Sequence, residues 1–373
     1  VDFDLRAHTH LLVVAGSRGQ GLHRPGSDVD VKGVAIPPAR YFHGCTASFE
    51  QVAEPVELAV FADLLLAEER AAAPRLEGTV FELRKLLRLA AECNPNLLEV
   101  LFCREAEVRL ETAIGRRLRE ARALFVSARA RHTFGSYATA QLKRIETHRR
   151  WLLAPPTVEP VRADFGLPPR TVIPADQLAA ANAAIRARVE AWDLDLGVLA
   201  EPERLALQAR ITDTLADLAL HADARWQAGA RALGVDENFL LLLDRERRYK
   251  AARTEWEQYH HWRVTRNAAR AEAEARYGYD TKHGAHLWRL LEMCREILLT
   301  GQVHVWRGDR DADVLRAIRD GAWPYEQLVE RAKERDAELT AIVAERRHVV
   351  PDRPDMDRID ALCVELVEDA LRV

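Results

Sequence analysis

Asp28 and Asp30 are the residues of this chain whose spacing does chemistry. They lie in the stretch LLVVAGSRGQGLHRPGSDVDVKGV, Leu11 to Val34. In an extended strand alternate side chains share a face, so this spacing sets both carboxylates side by side while Val29 and Val31 turn to a core. Like charges so close repel, and folding gains nothing from placing them there. A divalent cation removes the repulsion, because carboxylate oxygens are hard ligands and Mg²⁺ is typically held by one or two of them plus substrate phosphates. Upstream, the apolar run Leu11–Ala15 breaks at Gly16-Ser17, a turn whose N–H groups and hydroxyl suit a phosphate tail. No Gly-Lys-Ser/Thr follows the turn, which excludes a plain P-loop. Gly19-Gln20-Gly21 lacks the third glycine and the helix of a dinucleotide fingerprint.

The elements that must position these residues follow from periodicity. Leu11–Ala15 reads as a first strand and the Asp28–Val34 run as a second, closed by Pro37-Pro38. Leu58 to Glu69 has helical character. Leu76 to Phe81 is a short β-type run, and from Glu82 the residues Leu83, Leu86, Leu87, Ala90 and Ala91 recur at helical spacing until Asn94-Pro95. Asn96 to Phe102 reads as a short helical turn. Beyond Leu110 the chain becomes helical almost throughout, broken by a proline-rich loop at 154–174. Further helices are expected at 175–192, 202–232, 236–275, 281–299, 311–320, 324–346 and 355–371. The fold class is therefore α+β: a mixed-sheet domain over 1–108, then an all-helical domain over 109–373.

A chain of 373 residues with 48% hydrophobic and 30% charged content is an ordinary globular protein with room for two domains. Its formal net charge of −4 carries no global basic signal, so nucleic-acid contact requires a local patch. Cys45, Cys93, Cys103, Cys294 and Cys363 are scattered and odd in number, as reduced thiols are, and form no metal-binding pair. No apolar run reaches membrane-spanning length and no signal-peptide pattern opens the sequence; a cytoplasmic protein is expected.

A glycine-serine turn after an apolar strand, ten residues of loop, then Asp-apolar-Asp-apolar resembles the signature of the DNA polymerase β nucleotidyltransferase superfamily. FELRKLLRLAAECNPNLLEVLF (Phe81–Phe102) and GYDTKHGAHLWRLLEMCREILLTGQVHV (Gly278–Val305) narrow the likeness to the RlaP-like family of RNA-repair-pathway-associated nucleotidyltransferases. GAWPYEQL (Gly321–Leu328) and PDRPDMDRI (Pro351–Ile359) are similar to that family's C-terminal end. The motif loop departs from the family's usual Gly-Ser-Arg-Ala-Tyr-Gly by having Gly19-Gln20-Gly21 after Arg18, which leaves the metal ligands intact.

The resemblance implies a polymerase-β-like catalytic domain, an NTP substrate, two Mg²⁺ (or Mn²⁺) ions and a third carboxylate on a neighbouring strand. Glu77 is chosen for that role, to bind metal and help take the acceptor's proton, with Glu57, Asp63 and Glu82 as competitors. The family usually has Asp there. Gly16, Ser17 and Arg18 are candidates for binding nucleotide. So are Lys282, His286 and Arg289, which share a helix face with Glu296 beside an apolar stripe of Leu287, Leu290, Leu291, Cys294, Ile297 and Leu298. His283 is expected to point elsewhere. Arginines interleaved with Tyr249, Trp256, Tyr259 and Trp262 suit nucleic acid, and Arg253, Arg263, Arg266 and Asn267 are the candidates for acceptor binding. A second basic stretch, Arg131–Trp151, includes Lys143, Arg144, Arg149 and Arg150.

The function expected is metal-dependent transfer of an NMP from an NTP to a hydroxyl, with an RNA (tRNA-like) 3′ end as acceptor and RNA ligase or other RNA-repair proteins as partners. A protein or small-molecule hydroxyl is the alternative acceptor, and a non-catalytic nucleotide- or RNA-binding protein is the further alternative.

Overall fold

The computed structural model describes residues 1–72, 76–171, 179–181, 183–184 and 237–372. Its contacts group Val1–Leu152 with Ala268–Val373 in one compact unit and Leu153–Asn267 in another. The architecture is α+β, as expected. The boundary expected near 108 does not divide the units, because a strand at that point still belongs to the sheet and the helices after 268 share its core.

The sheet has five strands: β1 (Thr9–Ala15), β2 (Asp30–Ala35), β3 (Gln51–Val52), β4 (Glu77–Glu82) and β5 (Val108–Glu111), in the order β3-β4-β2-β1-β5. Only β2 and β4 run parallel. β1 is flanked by β2 and β5 and almost wholly apolar, which is what burial on both faces requires. Leu12 and Val14 join Val29, Val31, Val80, Leu58 and Phe61 in one cluster. Leu11 and Val13 point the other way, into a larger cluster built with the helices.

Those helices follow their sequence signals. Glu82 caps Leu83–Ala91 by accepting from Lys85 N–H, and Asn94 caps Pro95–Leu101, with proline at the first helical position. Asp280 caps Thr281–Thr300, which ends on Gly301 in the left-handed conformation. The expected apolar stripe of that helix is buried throughout. Tyr279, fully buried, donates its hydroxyl to the Trp323 carbonyl at 2.8 Å, which anchors the helix start.

Several boundaries differ from expectation. The Leu58–Glu69 segment is a 3₁₀ stretch (Ala59–Leu64) followed by a separate helix (Ala67–Ala72), because Glu69 accepts from Leu66 N–H and starts a new turn. The single helix expected over 236–275 is two, Glu237–Thr265 and Ala268–Tyr277, broken at Arg266-Asn267, where the two units divide. Of the helix expected over 175–192, residues 179–181 and 183–184 are helical; the rest of it and all of 202–232 lie outside the described residues. In the second unit Arg162 pairs with Glu246 at 2.9 Å, and Phe165 meets Tyr249 edge-on. All five cysteines are free thiols. Among the described residues no helix is long and apolar enough to cross a membrane.

Candidate active site

Sheet register places the acidic pair. Asp30 opens β2 opposite Ala15 and beside Glu77 of the parallel strand β4. Paired residues project to the same side, so Asp30, Lys32 and Glu77 share the face that the helices cover. Asp28 lies just before the strand, in the loop, and not within it as the alternation had implied. Two glycines make the packing possible. Gly16 has φ +59, and a Cβ there would come 2.2 Å from Asp30 Oδ2. Gly78 has φ +151, and a Cβ there would stand 1.9 Å from the Val31 carbonyl oxygen, so only glycine lets β4 lie against β2 with Glu77 in place.

The acidic pair opens onto a cavity of about 430 Å³. Gly16, Ser17, Gln20, Ser27, Asp28 and Asp30 form one wall, and Lys282, His283, His286 and Arg289 from the Thr281–Thr300 helix form another, with Arg144, Arg270 and Arg319 nearby. Neither Lys282 nor Arg144 makes a salt bridge among the described residues, so both cations remain available to an anionic ligand. Arg319 is partly spent on the Leu22 carbonyl, at 2.7 Å.

Beneath the cavity lies a buried polar network. Arg289 donates to Glu99 Oε1 at 2.7 Å, and Gln20 donates to the same oxygen at 3.0 Å. Lys32 Nζ lies 3.5 Å from Glu99 Oε2 and donates to the Asn96 side chain at 3.1 Å. Burial works to raise the Glu99 carboxyl, yet Arg289 foremost, then Lys32, holds it below the ordinary glutamate value. Asp30 goes the other way: burial raises it, Glu77 and Asp28 add to the rise, and Lys32 and Lys282 oppose it. His286 is pushed down to about 3 by burial and by Arg289, and is a neutral imidazole at physiological pH. Burial also lowers His283, to about 4.

The sequence-derived candidates thus separate. Gly16, Ser17, Asp28, Asp30, Lys282, His286 and Arg289 meet around one cavity. Arg18 is not in its lining; its guanidinium donates to the Ser27 carbonyl at 3.3 Å and ties the loop's start to its end. Glu296 binds Arg307 instead, at 2.7 Å. His283, expected to turn away, lines the cavity beside Lys282 and His286. Glu77 is exposed, outside the lining, and the oxygens of Asp28, Asp30 and Glu77 do not all lie within 4.8 Å of one another. Its competitors are engaged elsewhere: Glu57 with the N-terminal amine, Asp63 with Arg6, and Glu82 with Arg84 and its helix cap. Arg253, Arg263, Arg266 and Asn267 belong to the second unit. There Arg253 pairs with Glu257 and Glu159, Arg263 lies over Tyr259, and Arg266 stacks on Trp262 at 4.3 Å.

Sequence reasoning missed Glu99, Gln20 and Arg319. Glu99 carries a signal, since an acidic residue on the apolar face of NLLEVLF needs a buried cation. Gln20 and Arg319 carry none, because their partners are remote in sequence.

A glycine-serine turn held against a strand-borne aspartate, a second aspartate beside it and a basic helix opposite define a nucleotidyltransferase architecture of the polymerase β type. Residues 6–153 match the model of the RlaP family, described as the RNA repair pathway DNA polymerase beta family. No curated protein matches the chain, and no solved structure does.

Proposed function

We propose that this protein is a divalent-metal-dependent nucleotidyltransferase that moves an NMP from an NTP to an RNA 3′-hydroxyl. The observation that carries the reading is one cavity in which Asp28 and Asp30 face the uncommitted Lys282 across the Gly16-Ser17 turn. The donor set fits Mg²⁺ or Mn²⁺, because its oxygens are hard and the Asp30 carboxyl, raised by burial beside Asp28 and Glu77, gains from a nearby positive charge. Asp28 and Asp30, with Glu77 as the proposed third carboxylate, would hold the metal, which when bound neutralises phosphate charge and lowers the pKa of a coordinated hydroxyl.

The chain's own share is positioning and charge complementarity. The Ser17 hydroxyl and the N–H groups of its turn take the phosphate tail. Lys282 and Arg144 offset its negative charge. Neutral His286 offers a hydrogen bond without adding charge. The acceptor oxygen bonds to the α-phosphorus, the bond to the bridging β-oxygen breaks, and pyrophosphate leaves in line. An RNA acceptor, and RNA ligase or other repair proteins as partners, rest on the family's description and on the arginine-on-aromatic pairs of the second unit, such as Arg266 over Trp262.

The test is incorporation of each α-³²P-labelled NTP, with Mg²⁺ or Mn²⁺, into a mixed tRNA pool and into the protein itself. An Asp28→Ala/Asp30→Ala double variant serves as the blank. Label in RNA that disappears in the variant, with a yield that falls steeply as salt rises, supports the reading. Label on protein moves the acceptor to a protein hydroxyl. Nucleotide binding without any transfer overturns it in favour of a binding protein.

A further inference from the structure

The turn that carries Ser17 is held by the residues just after it. Gln20, Gly21 and Leu22 reach back through their N–H groups to the carbonyls of Gly16, Arg18 and Ser17, at 3.1, 3.0 and 2.8 Å. Gly21 and Leu22 are themselves buried, so their own carbonyls need partners that this short loop does not supply.

Those partners come from the far end of the chain. Arg307 N–H donates to the Gln20 carbonyl at 2.9 Å. The Arg316 guanidinium donates to the Gly21 carbonyl at 3.0 Å and that of Arg319 to the Leu22 carbonyl at 2.7 Å. Three consecutive carbonyls are thus taken by one segment, the helix Ala312–Arg319 and the turn before it. Gly21, at φ +72, lies so close to Trp306 that a Cβ there would come 2.9 Å from the ring. Both anchors are fixed from behind: Arg104 stacks 3.3 Å from the Trp306 ring, and the Arg307 side chain, 1% exposed, binds Glu296 and Asp311, each at 2.7 Å.

The same segment holds the opposite wall of the cavity. Thr281, the residue before Lys282, donates its hydroxyl to the Arg319 carbonyl at 2.9 Å. We infer that Arg307–Arg319 is the frame that sets the Gly16-Ser17 turn against the Lys282 helix, with Arg316 and Arg319 as positioning residues. Arg319 also borders the cavity, whereas Arg316 is outside its lining and acts on a bound nucleotide only through the Gly21 carbonyl. Arg316 therefore carries the test. Its consequence for turnover rests on the nucleotidyl-transfer reading; the hold on the loop rests on the hydrogen bonds alone.

The experiment compares Arg316→Ala, Arg316→Lys and Asp313→Ala in the full chain. Asp313, fully exposed, is the other partner of Arg316, at 3.3 Å, and its loss leaves the guanidinium free to hold the loop. Hydrogen exchange is read on the peptide spanning residues 16–28 and, for comparison, on the Pro95–Leu101 helix. Arg316→Ala should speed exchange of the loop amides by about tenfold or more, with the helix unchanged, because a charge-assisted hydrogen bond to a buried carbonyl is lost. Its kcat for incorporation of labelled NTP should fall by about tenfold or more at an unchanged melting midpoint, since small displacements of a positioned group are costly in rate. Arg316→Lys should recover part of both, and Asp313→Ala should match the wild type. Loop protection kept in Arg316→Ala, or lost with kcat intact, overturns the inference. A wild type that incorporates no nucleotide would instead sink the nucleotidyl-transfer reading, and exchange of the loop amides would then decide the hold by itself.

Discussion

Arg289 Nη1 and Glu99 Oε1 lie 2.7 Å apart, with both side chains 5% exposed, and they join two helices far apart in sequence. Arg289 is therefore committed to a carboxylate, although it borders the cavity. Removing one partner leaves a buried charge without its counterpart, so Glu99→Ala and Arg289→Ala are each expected to cost about 3–5 kcal/mol. Urea denaturation reads the loss. A Glu99→Leu/Arg289→Met double variant should recover most of it; a double variant as unstable as the singles would show the pair is not the cause.

Asp30 is expected to trade stability for function. Its folded pKa is raised, first by burial, so its contribution to stability is complete below the ordinary aspartate value and is lost as pH rises through the elevated one. At neutral pH the ionised carboxylate is a cost. Asp30→Asn should therefore raise the melting midpoint of metal-free protein at pH 7 to 8, by about 2–4 °C per kcal/mol recovered, and leave it little changed at pH 3. The same variant should lose nucleotide incorporation. A lower midpoint at pH 7 would mean that the cations nearby outweigh burial.

Gly16 cannot be replaced without disturbing Asp30. Alanine there must adopt φ +59, at a cost of about 1–2 kcal/mol, and its Cβ must displace an oxygen 2.2 Å away. Gly16→Ala should lower incorporation by about tenfold or more, since misplacement of about 1 Å costs up to 10² in rate. Gly26, whose Cβ would meet nothing within 4 Å, is the comparison; Gly26→Ala, also at positive φ, should keep far more activity.

Lys282 is the residue that should separate substrate binding from scaffold. It is exposed at the cavity and makes no salt bridge among the described residues, so Lys282→Ala should leave the melting midpoint unchanged. A lost charge-assisted phosphate contact of about 1.5–3 kcal/mol lowers kcat/KM for the NTP by about 10- to 150-fold. Lys282→Arg should restore part of this. An unchanged kcat/KM in Lys282→Ala would remove this lysine from the nucleotide site.

The apolar run of β1, the Gly16-Ser17 turn, the Asp28/Asp30 spacing and the helix over 281–299 were all legible in the chain, because each depends on contacts within a few residues. So was the apolar stripe of Thr281–Thr300, since 3.6-residue periodicity records which face is buried. The break at Arg266-Asn267 was not legible, because the same helical composition continues across it. Nor was the role of Arg289. A basic residue beside a carboxylate site reads as a phosphate ligand until folding brings Glu99 to it from another helix. The sequence alone determined the kinds of element and the candidate pair of aspartates. Only tertiary packing decided which cations remain free for a ligand and which are consumed by buried carboxylates, because charge pairing depends on side chains that meet across the fold and leave no periodic trace along it.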